Sequence, residues 1–71
     1  MAEEVRAPIG GTIQDILVAP GSKVAIDDEL LVIEALKMQN LVYSPVAGTV
    51  KDVRVKAGDK VEGEAVLLTI E

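Results

Sequence analysis

A chain of 71 residues makes one small domain, and with 49% hydrophobic residues and a formal net charge of -5 it has enough apolar material for a core inside an acidic surface. It contains neither Cys nor His, which excludes disulfides, thiolate nucleophiles, imidazole bases and the commonest metal ligands. Its acidity, with Tyr43 as the single aromatic, also excludes a surface that tracks phosphates or stacks bases, so no nucleic-acid partner is expected.

In chain order, the N-terminus Met1, Ala2, Glu3, Glu4 is acidic where a signal peptide would be basic, and no apolar run is long enough to span a bilayer. The expected location is cytoplasmic, without direct membrane insertion. Val, Ile and Leu supply 24 residues, which favours strands packed through branched side chains. From Val5 onward short strands are predicted, with breaks at residues 8–11, 20–22 and 24–28. Residues 30–33 form an apolar run too short for a helix and suited to the middle of a sandwich.

Residues 35–41 follow, with Lys37 as their one charge, and from Val42 the pattern starts again. Shifting the sequence by 37 lays residues 5–34 over 42–71 without a gap and matches 13 of 30 positions. Pro8 falls on Pro45, Gly11 on Gly48, Asp15 on Asp52 and Gly21 on Gly58, so turn formers meet turn formers. Gly21 and Gly58 are expected to supply positive φ at tight turns. In both copies two core residues stand three apart, Ile13 with Ile16 and Val50 with Val53, where one strand face would place them two apart. This spacing predicts a bulge near Asp15 and Asp52, with the strand passing from one sheet to the other there. The expected fold is all-β, a flattened barrel or sandwich of two antiparallel four-stranded sheets with an internal pseudo-twofold. The whole of 1–71 is one domain: half-repeats 5–34 and 42–71, joined by the hairpin 35–41.

On such a dyad Lys37 falls at a hairpin tip, between Leu36 and Met38. From the residues alone two readings stand. Leu36 and Met38 fold down onto the barrel beside an ordinary surface lysine, or they stay exposed as a surface meant to be handled by another protein.

The segment Glu34-Ala35-Leu36-Lys37-Met38 closely resembles the Glu-Ala-Met-Lys-Met attachment sequence of biotin carboxyl carrier domains, and the resemblance runs from Val5 to Glu71. It implies a non-catalytic carrier with biotin joined covalently to Lys37 by a biotin protein ligase, and with Glu34, Ala35, Leu36 and Met38 as the flanking recognition residues. A biotin carboxylase, using ATP, Mg²⁺ and bicarbonate, and a carboxyltransferase or decarboxylase are the implied partners, in an acyl-CoA or 2-oxoacid carboxylase, decarboxylase or transcarboxylase complex. Leu36 replaces the usual Met with similar size and apolarity. Asp27 and Glu64 stand where the family commonly has Gly. Lipoyl carrier domains of 2-oxoacid dehydrogenase-type complexes resemble the same barrel but flank their lysine with Asp and Ala, against which Leu36 and Met38 speak. An unmodified adaptor barrel would usually carry a long helical hairpin between its halves, and only seven residues separate Glu34 from Val42.

Overall fold

A computed structural model describes residues 2–71; residue 1 of the expected domain and N-terminus lies outside them. The strands are β1 (Glu3–Arg6), β2 (Gly11–Ile16), β3 (Lys23–Val24), β4 (Glu29–Ala35), β5 (Met38–Tyr43), β6 (Gly48–Val53), β7 (Lys60–Val61) and β8 (Val66–Ile70), with no helix among the described residues. Gly11 and Val24, both expected in breaks, open β2 and end β3.

Two four-stranded antiparallel sheets hold these strands, in the orders β1-β8-β6-β3 and β5-β4-β2-β7. Adding 37 to the residue numbers carries the first half's strands onto the second's and turns one order into the other, so each sheet draws strands from both halves. The cross-half pairings are β1 with β8, β2 with β7 and β3 with β6. Turn bonds tie the halves in the same symmetric way: the Gly21 amide donates to the Val50 carbonyl and the Gly58 amide to the Ile13 carbonyl, both at 2.8 Å. A single half therefore leaves both its backbone donors and its apolar face without partners.

The inner strands β4 and β8 carry the core. Leu30, Leu31, Ile33, Leu67, Leu68 and Ile70 are all fully buried. Consecutive leucines bury together because the β4–β5 register skips between Glu29 and Leu31, and the β1–β8 register skips across Leu67 in the same way. An extra residue at such a bulge resets the inside–outside alternation.

The same device explains the three-residue spacing on β2 and β6, with a correction. The register breaks between Ile13 and Asp15 and between Val50 and Asp52, so the inserted residues are Gln14 and Lys51. The strand does not change sheets there, since β2 pairs with β4 on both sides of the bulge. The crossing comes later, between the end of β2 and the start of β3, where the chain must turn to reach the opposite sheet.

Gly21 and Gly58 have φ of 95° and 96°, as their turns require. Asp27 and Glu64 adopt the left-handed region too, at 70° and 71°. The backbone around each is held from both sides: the Asp27 amide donates to the Ser44 carbonyl and the Ser44 amide to that of Asp28, as Glu64, Ala7 and Ala65 do in the other half. A side chain in this region costs about 1–2 kcal/mol, against about 0.5–1 kcal/mol for the greater chain entropy of Gly. Asp27→Gly combined with Glu64→Gly is therefore expected to raise the melting temperature by several degrees, as read by thermal unfolding. An unchanged or lower midpoint would show that these side chains stabilise their turns.

Candidate functional site

β4 ends at Ala35 and β5 begins at Met38, and these two residues pair directly across the sheet. The connection is thus a two-residue turn, Leu36-Lys37, rather than a loop spread over 35–41. Its residues have φ of 53° and 62°. Two successive left-handed residues match the twist of the flanking strands, which is why Asn-Gly and Asp-Gly dominate such turns. Leu and Lys gain nothing from this conformation and carry its steric cost, a form of strain that persists where the surroundings hold it and that concentrates at functional positions.

The outward side chains follow from that geometry. Leu36 is 85% exposed and Met38 66%, which overturns the reading in which they fold onto the barrel. Lys37 is exposed between them, and none of the ion pairs among the described residues includes it. Ala35 is buried and anchors the base of the turn. Glu34 has an exposed side chain, while its backbone pairs with Gln39 on one side and Thr12 on the other. The Asn40 side-chain amide donates to the Met38 carbonyl at 3.4 Å, a long bond across the first residues of β5.

Gly11 belongs to this site although its spacing gives no hint of it. A Cβ there would collide with the Glu34 carbonyl oxygen and come within 2.9 Å of Ile33 Cγ2. The absence of a side chain lets β2 approach the end of β4 and brace the strand just before the turn. Its counterpart Gly48 does the same for Glu71, beside the chain terminus. The acidic residues Asp27, Asp28, Glu29, Glu62 and Glu64 are all exposed, away from the tip. Among the described residues no group of His, Cys, Asp and Glu could hold a metal ion, and no helix is long and apolar enough to cross a membrane.

A duplicated pair of four-stranded sheets that exposes a lysine on a strained two-residue turn has the build of a presenting scaffold. The chain belongs to the biotin-requiring enzyme family, the biotin and lipoyl domains, whose model matches residues 2–70. Over 36 residues, 51% of this chain and 25% of the relative, it is 53% identical to the gamma subunit of glutaconyl-CoA decarboxylase from Acidaminococcus fermentans. The crystal structure of Kluyveromyces lactis urea carboxylase contains the same fold, with a TM-score of 0.94 and 28% identity over all of this chain and 6% of that one. A single-chain, multi-domain long-chain acyl-CoA carboxylase matches at a TM-score of 0.89 and 29% identity, over 96% of this chain and 7% of its own. The chain thus spans a quarter of the curated relative and a small part of each carboxylase. It is a biotin carrier domain of the kind used by biotin-dependent carboxylases and decarboxylases, and biotin is its cofactor.

Proposed function

We propose that Lys37 is the residue that bears the biotin, in amide linkage through Nζ, after modification by a biotin protein ligase. We further propose that the domain is non-catalytic and moves a carboxyl group between a biotin carboxylase and a carboxyltransferase or decarboxylase in the cytoplasm. The observation that carries this reading is the Leu36-Lys37 turn: two left-handed residues, both exposed, at the end of the hairpin.

The residues present fit the group. Lys37 has open solvent to accommodate an arm, and no ion pair among the described residues has to be broken before its amine can react. Acylation removes the Lys37 charge. Biotin, when bound, supplies a ureido nitrogen that accepts a carboxyl group and later gives it up. Everything else falls to the protein. Ala35, buried, and Gly11, packed against Glu34, hold the turn in one pose, so the competent conformation is not diluted by others. Leu36 and Met38 offer an apolar collar on either side of the lysine to whichever enzyme engages it. Linkage to one small barrel raises the local concentration of the carried group at each active site without a tight complex.

Intact mass of the protein co-expressed with a biotin protein ligase in biotin-supplied cells tests the reading. One biotinyl increment, mapped by peptide digestion to Lys37, is expected. An unmodified chain, a lipoyl increment, or biotin on Lys23, Lys51, Lys56 or Lys60 would overturn it.

A further inference from the structure

The internal duplication supplies its own control for what each sheet surface is for. Positions related by 37 residues occupy equivalent places on the outer faces of the two sheets. On the β1-β8-β6 face these places hold Glu4, Arg6, Arg54 and Thr69; on the β5-β4-β2 face they hold Leu41, Tyr43, Leu17 and Val32. The first face is cross-linked by charge, with Arg6 Nη2 to Glu4 Oε1 at 2.6 Å, Lys51 Nζ to Glu71 Oε1 at 3.2 Å and Arg54 Nε to Asp52 Oδ1 at 3.8 Å. The second face has no Lys or Arg in β2, β4 or β5. There Leu17 is 48% exposed, Leu41 38% and Tyr43 50%.

These side chains form one surface. Alternation along β5 puts Leu41 and Tyr43 on the side opposite buried Val42. Leu41 pairs with Val32 and Tyr43 with Glu29, while the Leu17 amide donates to the Leu30 carbonyl and so extends the sheet on the far side. Singly exposed apolar residues need no explanation, but a registered patch on one of two twinned faces does. The fold does not require it, because the same backbone carries charges at the twin positions.

We infer that the outer face of β2, β4 and β5 is a docking surface for an enzyme component that acts on the arm of Lys37, and that this component presents an apolar patch bordered by Lys or Arg. The inference rests on the function proposed above and adds the surface that accompanies the tip. Continuity selects this face, because β4 and β5 run directly into the Leu36-Lys37 turn. Charge selects the occupant: the exposed carboxylates Asp15, Glu29 and Glu34 border the patch, and at its Leu41 and Tyr43 edge Arg6 meets it already paired with Glu4, so the border stays net negative. A second copy of this chain would bring carboxylates against carboxylates, at a formal net charge of -5 on each.

The test copies one face onto the other. A variant carrying Leu17→Arg, Leu41→Glu and Tyr43→Arg reproduces side chains that the twin sheet already tolerates. The reverse variant carries Lys51→Gln and Arg54→Leu, twins of Gln14 and Leu17 on the part of the first face that does not border the Leu41 and Tyr43 groove. Each is biotinylated in full, checked by intact mass, and assayed as substrate for the purified carboxylase and transferase components of its own complex. The first variant is expected to raise KM for at least one component by about tenfold or more, with kcat within about twofold, since an exposed Tyr and two Leu are lost from the contact. The reverse variant is expected to change KM less than about twofold. Unchanged KM for both components, equal shifts in the two variants, a rise confined to the ligase reaction, or a wild-type dimer dissolved by the first variant would each overturn the inference. If the triple variant does not melt cooperatively, Tyr43→Arg alone carries the same expectation. A wild-type chain that takes up no biotin fails the proposed function itself, which separates the two outcomes.

Discussion

Lys37→Arg is expected to abolish biotin uptake while leaving the barrel intact. Arginine preserves the charge, approximate length and exposure of the side chain, and it meets the same Cβ constraint in the left-handed region as lysine does. No ion pair among the described residues is lost, so stability should change by less than about 0.5 kcal/mol, as for other surface replacements. The guanidinium stays protonated under any working condition and offers no nucleophilic amine. Intact mass should therefore show the unmodified chain alone, while circular dichroism and the melting midpoint match the parent. A biotinyl increment in this variant would place the attachment on another lysine, and a large fall in stability would mean that Lys37 has a structural role that its exposure conceals.

Gly11→Ala should be the most damaging of the small substitutions, with Gly48→Ala as its internal control. In each case the new methyl group meets a carbonyl oxygen, of Glu34 or Glu71, and the γ2 methyl of Ile33 at 2.9 Å or of Ile70 at 2.8 Å. A carbonyl cannot rotate away, so the strands must separate. Overpacking of this kind costs on the order of 1–3 kcal/mol. A domain of this size has a total stability of roughly 4–11 kcal/mol, so both variants should melt well below the parent, by about 4–8 °C for each kcal/mol lost. Their functional effects should differ. Glu34 immediately precedes Ala35, which closes the turn by pairing with Met38, so Gly11→Ala shifts the pose of Lys37 and slows biotinylation. Glu71 belongs to neither strand of the Leu36-Lys37 hairpin, so Gly48→Ala should be modified at the parental rate below its melting range. Equal rates in the two variants would show that the turn does not depend on the Gly11 contact.

The sites where reading and structure part are physically alike. Gly21 and Gly58 were legible as positive-φ turns because glycine announces that freedom in its own identity. Asp27 and Glu64 take the same conformation without announcing it, since what holds them there is a pair of backbone bonds to Ser44 and Ala7, residues distant in sequence. The spacing of Ile13 and Ile16 revealed a bulge but not its inserted residue, Gln14, nor that β2 stays in its sheet, because register is set by the partner strand. The turn narrowed from seven residues to Leu36-Lys37 for the same reason: only the pairing of Ala35 with Met38 counts the residues left between. Leu17, Leu41 and Tyr43 give no local sign of sharing a surface, and only a comparison of the charged with the uncharged members of each repeat pair signals them.

By itself, the sequence determined the duplication, the strand character of each segment and the placement of one lysine at the midpoint, all of which are local or periodic properties written in residue type. Tertiary structure decided that each half completes the other's sheets, that Gly11 braces the lysine-bearing hairpin, and that two equivalent faces carry opposite surfaces. The first and third depend on which strands meet across the dyad, and the second on how β2 pairs with β4 within one half. Pairings between residues from 24 to 67 positions apart set the outcomes across the dyad, as in Val24 with Gly48 and Glu3 with Ile70, and no local propensity encodes such pairings.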